Sequence, residues 1–314
     1  MVKTSFKIGN VEFKNRVFVA SGTFGYGDEA RELFDATKIG GIFTKSLTLK
    51  PRKGNPPPRI VETASGLINS IGLANIGVEK FISEKLPLLK QSEVVIIANI
   101  AGGTIDEYCK VLEKLESANG ITAYEINISC PNVKEGGLNF GTDLKATAEI
   151  TKIVRRLTSK PIILKLTPNV TRVSEFAKVA ESEGADAVSL INTLVGMAVN
   201  VKTRKPKIST VTGGLSGPAI KPVALAKVYE VVNAVKIPVF GIGGIANTND
   251  ALEFLIVGAK AVQIGTANFI NPNISVSIAN GIEKFCLDNG IADVGMIVGT
   301  LDTTGNESVL KSWL

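Results

Sequence analysis

Residues 127–133 read NISCPNV, a thiol placed one residue beyond an apolar run and directly before a proline. Cys130 could be a packed core thiol, a metal ligand or a group that handles a proton. The chain contains no histidine. That excludes Cys–His dyads, Ser–His–Asp triads and histidine metal sites. The three cysteines, Cys109, Cys130 and Cys286, are far apart and form no CxxC pair. A disulfide framework and an iron–sulfur centre held by this chain alone are therefore not expected. Metal ligation by Cys130 also lacks partners.

Other polar residues recur at the carboxyl ends of apolar runs: Ser21, Lys45, Ser46, Asn99, Asn127, Ser129, Lys165, Asn192 and Thr193, then Gly243–Gly244 and Gly265–Thr266. Any one serine or asparagine there can be satisfied by local strand-exit hydrogen bonds. Asparagine at three such ends, 99, 127 and 192, instead suits a planar ring with alternating N–H and C=O edges, such as a flavin or a pyrimidine. Lys165 interrupts the run IILKLT, where an unpaired ammonium is costly to bury. Its own run offers no carboxylate, so a ligand that develops negative charge is the expected partner. GIGGIA at 241–246 matches a dinucleotide fingerprint, but no acidic residue ends the next run to take a ribose hydroxyl. Bare backbone at Gly243–Gly244 and Gly265–Thr266 fits a single phosphate better than a pyrophosphate.

The elements that must carry these groups are eight short runs: 17–20, 41–46, 94–100, 123–129, 161–167, 187–193, 238–244 and 261–266. Most are almost continuously apolar, as parallel strands covered on both faces are. Amphipathic stretches at 28–38, 105–117 and 173–184 lie between them. This alternation predicts a (β/α)8 TIM barrel. The segments 47–75 and 194–220, rich in Pro, Gly and Asn, read as insertions after strands two and six, on the face where barrel active sites lie. No boundary divides residues 1–314, so one domain is expected.

The formal charge of +6 is spread along 314 residues without a basic block. Nucleic-acid binding has no stripe or aromatic motif to support it. A polar N-terminus and the want of a long apolar run point to a cytoplasmic protein.

NSIGLAN (69–75), NISCPNV (127–133), SLINTLVGM (189–197) and GGLSGPAIKPVAL (213–225) resemble dihydroorotate dehydrogenases, in the same order and over essentially the whole chain. The segment after Cys130, KEGGLNFG, and GGLSGPAIKP are most similar to the NAD-dependent class 1B catalytic subunits, with fumarate-using class 1A next. The resemblance implies an FMN-bearing barrel that oxidises dihydroorotate to orotate in pyrimidine synthesis. It makes Cys130 the base for the C5 proton as the C6 hydride passes to the flavin. It places Ser21, Lys45, Ser46, Asn99, Asn127, Lys165, Ile191, Gly217, Gly243, Gly244, Gly265 and Thr266 on FMN. Lys45, Asn69, Ser70, Ile71, Gly72, Leu73, Asn127, Asn192 and Thr193 would hold the substrate. Class 1B further implies a catalytic homodimer within a heterotetramer, whose second subunit carries FAD and an iron–sulfur cluster and reduces NAD+. KEGGLNFG reads as a lid hinged at Gly136–Gly137. Two other readings use the same residues: a Schiff-base aldolase with Lys165 as nucleophile, and a non-catalytic barrel that binds a phosphorylated ligand.

Overall fold

The computed structural model describes residues 2–27, 35–129 and 140–305. Eight parallel strands close into a barrel. They are β1 (Val17–Val19), β2 (Gly41–Phe43), β3 (Ile96–Ile100), β4 (Ala123–Asn127), β5 (Ile162–Lys165), β6 (Ala187–Leu190), β7 (Val239–Ile242) and β8 (Ala261–Ile264). Each falls inside an expected run, and β8 pairs with β1 to complete the ring. The (β/α)8 barrel expected from the alternation is what the chain forms.

Helices cover the outside: α1 (Ile105–Glu116), α2 (Leu144–Leu157), α3 (Val173–Ser182), α4 (Lys221–Val232), α5 (Thr248–Ile256) and α6 (Ile274–Asp288). Three begin at side-chain caps, which satisfy amides that the first turn leaves open. Thr104 accepts from the Glu107 N–H, Asp143 from Ala146 and Asn247 from Asp250. Of the helix expected at 28–38, residues 28–34 lie outside the described residues, and Ala36–Lys38 form a single 3-10 turn.

The barrel interior is layered. Strand alternation sends every second side chain inward, and one inward set is apolar: Phe18, Phe43, Ile97, Ala123, Ile163, Ala187, Phe240 and Ala261. An antiparallel hairpin, Phe6–Ile8 with Val11–Phe13, packs Phe6, Ile8 and Phe13 against that set. Phe6, Phe18 and Phe240 meet edge to face, with ring centroids 5.4–6.1 Å apart. This geometry suits aromatic quadrupoles, and the hairpin plugs the amino-terminal end of the barrel.

Two residues further along the strands the inward positions turn polar. Asn99, Glu125, Lys165, Ser189 and Gln263 are all buried there. Beyond them the insertions fold over the mouth. Ile60–Thr63 and Gly66–Asn69 from the β2 insertion join Leu194–Met197 and Thr212–Ser216 from the β6 insertion in one antiparallel sheet. The segments read from sequence as insertions after strands two and six thus supply a four-stranded sheet. Its central pairing sets Asn69 against Gly214.

Candidate active site

The polar layer converges on Glu125, which is fully buried. Its Oε2 accepts from Asn99 Nδ2 at 2.5 Å and from Lys165 Nζ at 3.5 Å. Its Oε1 accepts from Ser189 Oγ at 2.7 Å and Gln263 Nε2 at 2.9 Å. The expectation that Lys165 has no carboxylate partner is therefore incorrect. The partner stands on the neighbouring strand, where Asn127 is in register with Lys165 and Glu125 lies two residues back on the same face. This pairing also bears on the aldolase reading. Lysines that form Schiff bases sit in apolar pockets or beside another cation, whereas Lys165 sits beside a carboxylate.

Above this layer the amides meet one another. Asn192 Nδ2 donates to Asn127 Oδ1 at 3.3 Å, and the Thr193 N–H donates to Asn192 Oδ1 at 2.9 Å. Tyr108 Oη donates to the Asn127 carbonyl at 2.7 Å, pinning the end of β4. Thr193 packs on Gly214, and Asn69 Nδ2 donates to the Gly214 carbonyl at 3.4 Å. Asn69, Asn127, Asn192 and Thr193 are thus joined through a short chain of contacts. Ser129, at the exit of β4, donates its hydroxyl to the Lys165 carbonyl at 3.3 Å.

The loop 70–73 is held from its far side. Asn55 takes the Ile71 carbonyl on its N–H at 3.1 Å and the Ser70 carbonyl on Nδ2 at 2.9 Å. Gly72 and Leu73 both have positive φ, 72° and 56°. Asn75 is the anchor that sequence reasoning passed over. Its side chain donates to Thr48 Oγ1 at 2.8 Å and the Leu73 carbonyl at 2.7 Å, and accepts from the Gly77 N–H at 2.8 Å. The loop is tied in this way to the segment that follows Lys45 and Ser46. Ser46 itself is buried, and the Leu47 N–H donates to the Asn99 carbonyl at 2.8 Å, setting the end of β2 beside β3.

The glycine-bearing strand ends form a second cluster. Thr266 Oγ1 donates to Ser216 Oγ at 2.8 Å, which brings Gly217 close to the β8 exit. The Ile191 N–H donates to the Ile242 carbonyl at 2.9 Å. A Cβ on Gly243 would lie 3.3 Å from Ile191 Cγ1, so these positions adjoin. Gly243 and Gly244, with φ of 133° and 70°, also have packing reasons to be glycine. Added Cβ atoms would come within 2.7 Å of Ala224 and of Lys221 respectively. Gly265 differs, because a Cβ there meets nothing nearer than Ala20 at 3.8 Å. Ser21 is half-buried at the β1 exit, where the Ala20 N–H donates to the Ile264 carbonyl at 2.8 Å.

Two observations fit these residues to a flavin mononucleotide. Among the described residues Asn99 Oδ1 is buried with no partner, while its Nδ2 is committed to Glu125. Such an acceptor is suited to an incoming ring N–H. Gly265 leaves open space beside its backbone, room that the close approach of a phosphate would need. Ser70 Oγ, in the expected substrate loop, is likewise buried without a partner among the described residues.

Cys130 and the segment through residue 139, with its expected hinge at Gly136–Gly137, lie outside the described residues. The other two thiols offer no alternative. Burial raises Cys109 above its ordinary value, with Glu113 and Asp106 adding to the effect, and burial also raises Cys286. Sequence reasoning missed Glu125, Ser189, Gln263 and Asn75. For Glu125 the available signal was a lone carboxylate at an inward position of the run AYEIN.

A family model described as dihydroorotate dehydrogenase matches residues 3–286. A protein of Geotalea uraniireducens is 52% identical over 299 residues, covering 95% of this chain and 98% of its own. One from Desulforamulus reducens is 51% identical over 293 residues, covering 93% and 96%. Another, from Thermodesulfovibrio yellowstonii, is 53% identical over 294 residues, covering 94% and 97%. All three are named dihydroorotate dehydrogenase B (NAD(+)), catalytic subunit.

Proposed function

Because the chain belongs to the dihydroorotate dehydrogenase family, we propose that it is the catalytic subunit of an NAD+-linked enzyme that oxidises dihydroorotate to orotate in pyrimidine synthesis. The observation that carries the reading is the convergence of Asn99, Asn127, Asn192 and Lys165 at one barrel mouth, with Asn99 Oδ1 buried and without a donor. Residues 1–314 act as one FMN-binding barrel domain, and FMN is the resident group. When bound, FMN would supply the acceptor for the C6 hydride and thus for the two electrons of the oxidation.

The chain's own residues do the rest. Asn99 and Asn127 hold the ring edge. Lys165 sets its ammonium against the negative charge that builds there on reduction. Ser21, Lys45, Ser46, Ile191 and Gly217 line the cofactor, while Gly243, Gly244, Gly265 and Thr266 take its phosphate. Asn69–Leu73, Asn127, Asn192 and Thr193, with Lys45, orient the substrate's carboxylate and imide edges. Cys130 takes the C5 proton as a general base. A partner subunit bearing FAD and an iron–sulfur cluster would carry the electrons on to NAD+, in a heterotetramer built on a catalytic homodimer in the cytoplasm. Among the described residues no helix is long and apolar enough to cross a membrane.

The test is purification with any bound partner. The expected result is a yellow complex whose flavin bleaches on adding dihydroorotate and which reduces NAD+, whereas the lone chain does not. Rapid fumarate reduction by the lone chain overturns the NAD+ assignment. A colourless chain trapped by borohydride with substrate overturns the flavin reading altogether. Cys130→Ala keeps its flavin but reduces it roughly 10²–10⁴-fold more slowly, the scale of a lost general base. Near-normal stopped-flow reduction in that variant removes the thiol from the chemistry.

A further inference from the structure

Glu125 belongs to none of the cofactor or substrate sets above, yet it is the most heavily hydrogen-bonded side chain of the polar layer. The division of its partners is informative. One oxygen, Oε2, holds Asn99 and Lys165, two of the residues assigned to the flavin ring. The other, Oε1, is held by Ser189 and Gln263, which have no assigned ligand. Asn99 and Gln263 both commit their N–H2 ends to Glu125 and leave their carbonyl oxygens buried without partners among the described residues. The carboxylate therefore decides which way both amides point.

Packing alone does not account for this arrangement. The layer just below is wholly apolar, with Phe18, Phe43, Ile97 and Phe240 filling the barrel. A carboxylate buried between strands is costly, and an apolar side chain of similar volume would usually be at least as stable. What an apolar residue cannot do is orient two neighbouring donors and place a negative charge 3.5 Å from Lys165.

Resting on the flavin reading, we propose that Glu125 is the positioning residue of the redox site: it holds Lys165 and Asn99 in place and, by offsetting the lysine's charge, sets the reduction potential of the bound flavin. Lys165 alone would stabilise the electron-rich reduced ring strongly. Glu125 tempers that field, keeping the flavin able to pass electrons onward after it has taken them from substrate. Ser189 and Gln263 spread the carboxylate's charge through their own dipoles and so regulate how far it opposes the lysine.

The decisive experiment is the midpoint potential of the bound flavin in the full chain with its co-purified partner, measured by dye equilibration, together with the dissociation constant for FMN. Glu125→Gln shifts the potential to more positive values, because Lys165 is left unopposed. It also weakens FMN binding on the order of tenfold through the loss of Asn99's orientation, the scale seen when the groups that orient metal ligands are removed. Ser189→Ala removes a donor from the same carboxylate and shifts the potential the opposite way. A wild-type potential in Glu125→Gln overturns the inference even if thermal stability falls, since a purely structural carboxylate would behave so. Should Glu125→Gln not fold, Ser189→Ala decides alone, and an unmoved potential overturns the inference. A wild-type chain that takes up no flavin sinks the functional reading instead, which is a separate result.

Discussion

Lys165→Met removes one half of the buried pair while nearly preserving volume. At 3.5 Å and an effective dielectric of about 20, the attraction lost is about 4–5 kcal/mol. Desolvation of both ions offsets much of that in the intact protein. The variant keeps the cost of burying Glu125 and retains only three neutral donors to it, from Asn99, Ser189 and Gln263. Stranding a buried ion typically costs about 3–5 kcal/mol, and the surviving donors place this site at the low end, about 3 kcal/mol. Adding Glu125→Gln in the same chain removes the stranded charge while keeping a carbonyl for Ser189 and Gln263. The double variant should recover about 2 kcal/mol of the loss, a positive coupling between contacting residues. Urea denaturation of the FMN-free wild type, both single variants and the double variant measures the cycle. Losses that simply add, leaving the double variant the least stable of the four, refute the argument that Glu125 and Lys165 sustain each other.

Other consequences follow from the strand ends. Gly265→Ala introduces a methyl group that meets nothing nearer than 3.8 Å, so its effect should fall on the ligand. FMN affinity is expected to drop on the order of tenfold, about 1.4 kcal/mol, in fluorescence titration of the apoprotein, and unchanged affinity removes Gly265 from the phosphate site. Lys221, whose backbone packs against Gly244, donates to Asp250 at 2.7 Å and to Glu253 at 3.0 Å. The bond to Asp250 raises Lys221 above the ordinary lysine value of 10.5, against a smaller opposing effect of burial. A raised value in the folded chain means the stabilisation is complete below pH 10.5 and is lost as pH rises through the folded value. The wild-type urea midpoint should therefore fall more steeply above that pH than the midpoint of Lys221→Met, and parallel profiles would refute the linkage.

The barrel was legible because its strands are short, β-branched, nearly unbroken apolar runs, and few other elements look like that over eight repeats. Strand ends were legible for the same reason, since Ser46, Asn99, Asn127 and Lys165 punctuate apolar runs where the chain leaves the core. The sheet over the mouth was not, because its strands are held by partners rather than by their own patterning. Gly213 and Gly214 carry no β propensity and become strand only opposite Gly196 and Val195. The amino-terminal hairpin has a readable signal in FKIGNVEF, alternation around a Gly-Asn turn, which differs from the unbroken apolar runs of the parallel strands. Glu125 was invisible for a different reason. Its four donors come from residues 99, 165, 189 and 263, on four other strands. No local spacing connects them until the barrel closes.

The pairing of Asn69 with Gly214 has a consequence for how the molecule comes into being. Those residues are separated by four intervening barrel strands, β3 to β6, and contacts so distant in the chain form late because their loop entropy must be overcome first. During synthesis the insertion after β2 emerges long before the one it must join. Until Thr212–Ser216 has left the ribosome, Gly66–Asn69 has only Ile60–Thr63 to pair with, and an isolated two-stranded ribbon is marginal in water. The sheet over the barrel mouth is accordingly assembled after most of the barrel strands. A nascent chain stays open from above through most of its growth, and β7 and β8 are still to be made when Thr212–Ser216 emerges.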